Sequence, residues 1–268
     1  MGAVLDGQRD RHKPRVAFAV VTVNVQHSRH PMADRSIARA CVLVPAYEAE
    51  KTLAKVIEDL KAELPELASS ILVVDDGSTD ATSAVARSAG TQLVTHAGNR
   101  GKGAALRSGL VAAQAAGYGI ALSVDADGQH PADAAAEVLN ATEDDEALVL
   151  GIRQLAAAGA PRKNQISNGI SNFFISHFAG RPLRDTQCGL RRYPIASTLA
   201  LAARGDGYDF EAEILLRAIW AGVAIVEKPV RVLYPEDRIT HFHVVRDPWR
   251  IVRTVVAALG DKHFGGSS

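Results

Sequence analysis

Cysteine is scarce in this chain, at two residues in 268, Cys41 and Cys188. Neither has metal-ligand spacing around it, so no disulfide framework is expected and the usage suits a reducing compartment. Excess charge is lacking too. Lysine plus arginine total 30 against 30 for aspartate plus glutamate, which removes the electrostatic reason to expect nucleic acid as the main partner. Uninterrupted apolar runs stop well short of the ~20 residues a membrane helix needs. Residues 16–25, VAFAVVTVNV, follow a basic stretch and look like the apolar centre of a signal peptide. The residues after them, Gln26, His27, Ser28 and Arg29, make no small-residue cleavage site. Internal repeats and low-complexity blocks are also missing.

What the chain does have is a regular alternation that begins at residue 40. Short apolar runs at 40–45 (ACVLVP), 70–74 (SILVV), 91–96 (TQLVTH) and 119–124 (GIALSV) read as strands. Between them lie segments with helical spacing, such as Leu53, Val56, Ile57, Leu60 and Leu64 within 50–64. Further helices are expected through Ala89, over 104–116 and from Pro131 to about Thr142. Four strand-helix repeats predict an α/β domain built on one mostly parallel, Rossmann-like sheet with helices on both faces. A strand at 147–151, a helix at 166–178, a helix at 209–221, an edge strand at 223–227 and a closing helix at 248–259 complete the expectation. The domain is bounded at 40–259. Residues 1–39 are read as an extension, either one extra strand or a disordered arm, with Met32 a second candidate start, and 260–268 as a flexible tail.

The stretch with most chemistry in it is 121–131, ALSVDADGQHP. An apolar run ends in Asp125 and Asp127, followed by Gly128, Gln129, His130 and the helix-starting Pro131. Two carboxylates at the carboxyl end of a strand can hold a hard divalent cation that carries substrate phosphates, or can do no more than cap a helix. Parallel strands bring their carboxyl ends together. Tyr47 and Glu48 after the first strand and Asp75 and Asp76 after the second are therefore expected on the same edge. There Tyr47 offers a stacking face and Asp75 an acceptor for a nucleotide, although DDGS is also an ordinary turn.

Five segments taken in order, PAYEAEKTL from Pro45, ILVVDDGSTDATS from Ile71, NRGKGAALRSGL from Asn99, SVDADGQHP from Ser123 and DTQCGLRRYP from Asp185, resemble family 2 of the nucleotide-sugar glycosyltransferases. They are most similar to the branch of polyprenyl-phosphate sugar synthases, the dolichol-phosphate mannose synthase type. The resemblance implies a GT-A fold and an inverting transfer from a nucleotide sugar of the GDP-mannose or UDP-glucose type. It also implies Mg2+ or Mn2+ at Asp127, with Asp125 and Gln129 beside it, and nucleotide contacts at Pro45, Tyr47, Asp75 and Asp125. Glu48, Lys102 and Ala126 complete the expected donor-binding set. The family usually has Asn after the motif tyrosine; Glu48 stands there and is a substitute nucleotide contact.

Arg153, Arg162 and Lys163 bracket an alanine- and glycine-rich loop expected to fold over the phosphates, and the resemblance carries phosphate binding to Arg153 and Arg162. Asp185 is the candidate base or acceptor holder, supported by Gln187 and Arg191. Glu211 and Glu213, one residue apart, cannot both face inward on an ordinary surface helix, so one is expected to orient a loop arginine and the other to be solvated. The segment HFHVVRDPWRIVRTVV from His241 is also similar to this branch. Its basic, aromatic-edged helix suits anionic lipid headgroups, or equally a core. The expected partners are a nucleotide-sugar donor and a lipid-phosphate acceptor, at a cytoplasmic site or peripherally on the inner membrane face. Two alternatives keep the fold: transfer to a glycan or small-molecule hydroxyl, and a non-catalytic nucleotide-sugar binder. Nucleotidyltransferases share the architecture but need a glycine-rich loop where PAYEAEK stands.

Overall fold

The computed structural model describes residues 39–155 and 158–233. The N-terminal extension, the closing helix at 248–259, His241, His243, Arg246 and the tail therefore lie outside the described residues.

The architecture follows from strands that are apolar along their whole length. Strand β1, Ala40–Ala46, is buried at every position, as a strand covered on both faces by helices must be. Around it stand β2 (Ile71–Asp75), β3 (Gln92–Thr95), β4 (Ile120–Ser123), β5 (Leu148–Arg153), β6 (Arg191–Pro194) and β7 (Ile225–Val230), in the order β3-β2-β1-β4-β6-β5-β7. All pairings are parallel except those of β6, which runs antiparallel between β4 and β5. The mostly parallel sheet expected from the strand-helix alternation is thus present, with seven strands.

Helices α1 (Leu53–Glu63), α2 (Thr82–Ser88) and α4 (Ala132–Leu139) cover one face; their apolar stripes join one side of β1, β2 and β4 in a single core. Helices α3 (Lys102–Ala115), α6 (Ile195–Ala200) and α7 (Asp209–Trp220) cover the other, with residues of α5 (Arg162–Ala179). Gly109 lets α3 lie directly on β1, since a Cβ there would run into Leu43.

Two features differ from expectation. The end of the DTQCGLRRYP segment, for which no strand was expected, forms β6: Arg191 bonds three carbonyls through its guanidinium, and Arg192 bonds the Thr142 carbonyl and Asp145, while their backbone enters the sheet. The Ala/Gly loop is also shorter than its sequence suggests: Arg162 is already the first residue of α5.

The sheet order reverses between β1 and β4, with β2 and β3 on one side and β6, β5 and β7 on the other. Such a switch point opens a crevice outside the strand ends. The ends meeting there carry Tyr47 and Glu48 on one side and Asp125 and Asp127 on the other.

Candidate active site

The loops after β1, β2 and β4 are stitched to each other before any ligand is considered. Thr52 Oγ1 donates to the Ala126 carbonyl at 2.6 Å, Ala49 N to Thr82 Oγ1 at 2.8 Å, and Glu48 N to Ser78 Oγ at 2.9 Å. Glu48 itself has φ +50°, a conformation that Asn accepts more readily than Glu. Its carboxylate accepts from Thr79 N at 2.7 Å and Thr79 Oγ1 at 3.0 Å. The side chain expected as a substitute nucleotide contact thus joins two loops through its Oε1.

Asp75 is buried at the end of β2, with Oδ1 accepting from Ser78 N at 2.9 Å and Oδ2 from Ser83 Oγ. Asp76 accepts from His96 Nδ1 at 2.6 Å, Arg100 N at 3.0 Å and Gly101 N at 2.7 Å. It fixes the turn that launches α3. Gly101, at φ +99°, lets that turn pass against the Asp206 carbonyl.

The turn delivers Lys102 into the site. Its ammonium sits 2.7 Å from Asp125 Oδ1, 3.2 Å from Glu211 Oε2 and 5.7 Å from the centre of the Tyr208 ring. Burial opposes the charge on Lys102, but Asp125 and Glu211 outweigh it and raise the pKa. Burial likewise pushes the Asp125 carboxyl up, and the surrounding cations, Lys102 first among them, more than reverse this and hold it below the usual carboxylate range. Gly189 makes the pair possible: a Cβ there would stand 2.5 Å from Lys102 Nζ and closer still to Asp125 Oδ2. Tyr208 and Gly189 escaped the sequence reading, although one opens YDFEAE and the other lies within DTQCG.

Asp127 is in the opposite electrostatic position. It accepts from Gln129 N at 3.0 Å and from the Gln129 side-chain amide, and has no ion-pair partner among the described residues. Burial and the neighbouring Asp125 both raise its pKa. A desolvated carboxylate beside a second one, with no cation of its own, is a place where a divalent ion is stabilised. No group of three or more His, Cys, Asp or Glu side chains converges to hold a metal among the described residues. A divalent ion held by one or two carboxylates together with substrate phosphates does not require such a group.

Arg153 and Asp185, expected in separate roles, are brought together. Asp185 Oδ2 accepts from Arg153 N at 3.1 Å and Nε at 2.7 Å, while Oδ1 accepts from the other arm of the guanidinium at 3.0 Å and from Gln187 N at 3.2 Å. Arg191, fully buried, clamps the same loop through the carbonyls of Thr186, Cys188 and Glu211. Arg162 is exposed at the start of α5. Pro45 is buried inside β1, Ala126 is buried with its carbonyl taken by Thr52, and Tyr47 is half-buried at the crevice.

Glu211 and Glu213 correct the expectation of one inward and one solvated residue. Both are buried, because α7 is enclosed on two sides. Glu211 faces Lys102, and Glu213 accepts from Arg204 N and Gly205 N at 2.9 Å and from Arg217 Nε at 2.7 Å. His130 is buried near the same site, 3.9 Å from Cys188 Sγ, and burial drives its pKa down to about 4.

Residues 41–195, which hold every strand end just described, match the family model for Glycosyl transferase family 2. The chain belongs to that family. This glycosyltransferase is 26% identical over 212 residues to the polyprenol monophosphomannose synthase of Mycolicibacterium smegmatis, covering 75% of this chain and 79% of that one. It is 28% identical over 228 residues to the UDP-N-acetylglucosamine–dolichyl-phosphate N-acetylglucosaminyltransferase of Methanococcus voltae, covering 76% and 88%. Its fold is similar to that of glucosyl-3-phosphoglycerate synthase from Mycobacterium tuberculosis in complex with Mn2+, uridine diphosphate and phosphoglyceric acid, with TM-score 0.65, 20% identity and coverage of 85% and 80%. Among the described residues no helix is long and apolar enough to cross a membrane.

Proposed function

We propose that this glycosyltransferase moves a hexose, with inversion, from a nucleotide sugar of the GDP-mannose or UDP-glucose type to a polyprenyl phosphate. The names of its relatives support the acceptor class, since one is called a polyprenol monophosphomannose synthase and the other a dolichyl-phosphate N-acetylglucosaminyltransferase. In the transfer an acceptor oxygen forms a bond to the anomeric carbon, and the bond from that carbon to the diphosphate breaks. The electron pair leaves with the nucleoside diphosphate.

The observation that carries the reading is the division of labour between Asp125 and Asp127. Lys102 pairs with Asp125, which is left to orient the donor, while Asp127 has no ion-pair partner among the described residues and its pKa is pushed up by burial and by Asp125. Mg2+ or Mn2+ held by Asp127, with Gln129 beside it, would neutralise the departing diphosphate. Tyr47 and Asp75 line the nucleotide end of the crevice. Ser78 and Ser83 exchange their hydrogen bonds to Asp75 when a base is admitted. Arg153 and Arg162 are the candidate cations for gripping phosphates.

Occupancy of Asp185 favours phosphate over hydroxyl as the attacking group. A carboxylate has about four lone-pair directions, and Asp185 accepts four hydrogen bonds, three of them from Arg153. In this arrangement Asp185 is engaged with Arg153 rather than open to a hydroxyl acceptor. A phosphate is already anionic near neutral pH and needs no such base.

Asp127→Ala tests the proposal. Sugar transfer to a polyprenyl phosphate, followed by product chromatography, should fall by more than ~100-fold, the scale of losing an electrostatic catalytic group. Circular dichroism should be unchanged. Undiminished turnover would overturn the reading, as would the absence of Mn2+-dependent binding of UDP and GDP by calorimetry.

A further inference from the structure

Helix α5 is amphipathic in the wrong sense for a water-facing helix. Its inner face is mostly polar: Ser167, Asn168 and Ser171 are buried along with Ile175. Asn172 donates to the Arg184 carbonyl at 2.7 Å and accepts from Thr186 N and Oγ1, each at 2.8 Å. Those bonds tie the helix to the loop that carries Asp185. Its outer face is apolar: Ile166, Ile170, Phe173 and Phe174 are 63%, 47%, 68% and 37% exposed. Their i, i+4, i+7, i+8 spacing makes one continuous stripe. They are four of the six exposed large hydrophobic residues among those described, the other two being Val111 and Leu233, elsewhere in the chain.

Scattered apolar residues on a surface need no explanation, but a stripe does. Charge narrows what covers it. Residues 162–184 contain Arg162, Lys163, Arg181 and Arg184 and no aspartate or glutamate. Arg184 is shared with Glu227 at 2.9 Å, whereas Arg162 and Arg181 are exposed at opposite ends of the helix. An apolar stripe between cationic ends matches a bilayer boundary with anionic headgroups, into which such a helix settles lengthwise. At ~1.5 Å per residue the stripe from Ile166 to Phe174 gives an apolar contact roughly 12 Å long.

We propose that the outer face of α5 seats the enzyme on an anionic bilayer. The inference rests on the lipid-phosphate reading above and deepens it. Helix α5 starts nine residues beyond Arg153 and holds the Asp185 loop on its inner side, so seating it places the acceptor side of the site at the headgroups.

The test uses the full chain and sedimentation with vesicles of phosphatidylcholine, with and without phosphatidylglycerol. Wild-type protein should sediment with the phosphatidylglycerol vesicles. The double variant Ile170→Gln/Phe173→Gln should bind them at least ~10-fold more weakly, as expected from removing two buried apolar side chains. Its Mn2+-dependent thermal shift with UDP or GDP should be unchanged. Its turnover should fall for acceptor embedded in vesicles but not for a short, water-soluble polyprenyl phosphate.

A second measurement covers poor folding of that variant. Cys41 and Cys188 are buried, so Phe173→Cys can be labelled selectively with an environment-sensitive dye. Its emission should shift to the blue on phosphatidylglycerol vesicles, while the same dye at Ser88→Cys, exposed on α2, should not shift. Equal vesicle binding by wild type and double variant, or no shift at position 173, would overturn the proposal. A wild-type dimer that the double variant dissolves would also overturn it, by making a second copy the occupant. Loss of nucleotide binding by wild type with vesicle binding intact would instead count against the donor reading alone.

Discussion

At the scale of single residues, the site is organised by Lys102. Buried between Asp125 and Glu211, it sets which carboxylate is neutral in effect and which is left to attract a cation. Breaking a buried pair from one side leaves uncompensated charge and costs about 3–5 kcal/mol. Lys102→Met should therefore destabilise the fold by about that amount in urea melts, and Lys102→Arg by less. Gly189 sets a second limit. In Gly189→Ala the added methyl meets Lys102 Nζ and Asp125 Oδ2, so nucleotide affinity by calorimetry should drop at least ~10-fold, equivalent to about 1.4 kcal/mol. Wild-type affinity in that variant would mean that the pair has no part in donor binding.

At the scale of elements, α7 carries more of the site than its sequence suggests. Glu213 bonds two successive backbone N–H groups at Arg204 and Gly205 and also Arg217, which pins the segment that holds Tyr208 over Lys102. Glu213→Ala removes the acceptor from the buried Gly205 N–H, at a cost of about 1–3 kcal/mol. The expected result is a lower melting temperature together with weaker nucleotide binding; a change in neither would show that the segment is held by other contacts. The adjacent pairing of Glu211 and Glu213, both buried, was not legible in the sequence. Helical periodicity assumes one wet face, and α7 lacks one where these two residues lie. Strand β6 was hidden for a related reason. Its arginines look solvent-facing until the carbonyls that receive them are in place.

At the scale of the whole molecule, acid stability provides a check on how dry the interior is. His130 is buried with no partner on Nδ1, and burial moves its pKa from the ordinary 6.5 down to about 4. Below pH 6.5 the unfolded chain takes up a proton that the folded chain refuses, so stability falls as pH drops from about 6.5 to about 4. The shift corresponds to a loss on the order of 3 kcal/mol. Urea melts across this range should show it, and His130→Gln should flatten the dependence on pH. An unchanged profile in that variant would assign the acid sensitivity to other groups.

The sequence alone determined the order of β1 to β5 and of the helices between them, because apolar runs and helical spacing are local properties and each repeat obeys the same crossover rule. It also determined that Tyr47, Asp75, Asp125 and Asp127 share one edge, since parallel strands have no other way to place their ends. Only the tertiary structure decided who partners whom there. Arg153 with Asp185, Lys102 with Asp125 and Glu211, and Glu48 with Thr79 are contacts between residues tens of positions apart. Their pairing depends on which side chains the packing brings within hydrogen-bond reach, and no local pattern encodes that distance. The outward stripe of α5 belongs to the same class: its spacing is plain in the sequence, but which face meets the protein was settled by the polar bonds that Asn172 and Ser171 make beneath it.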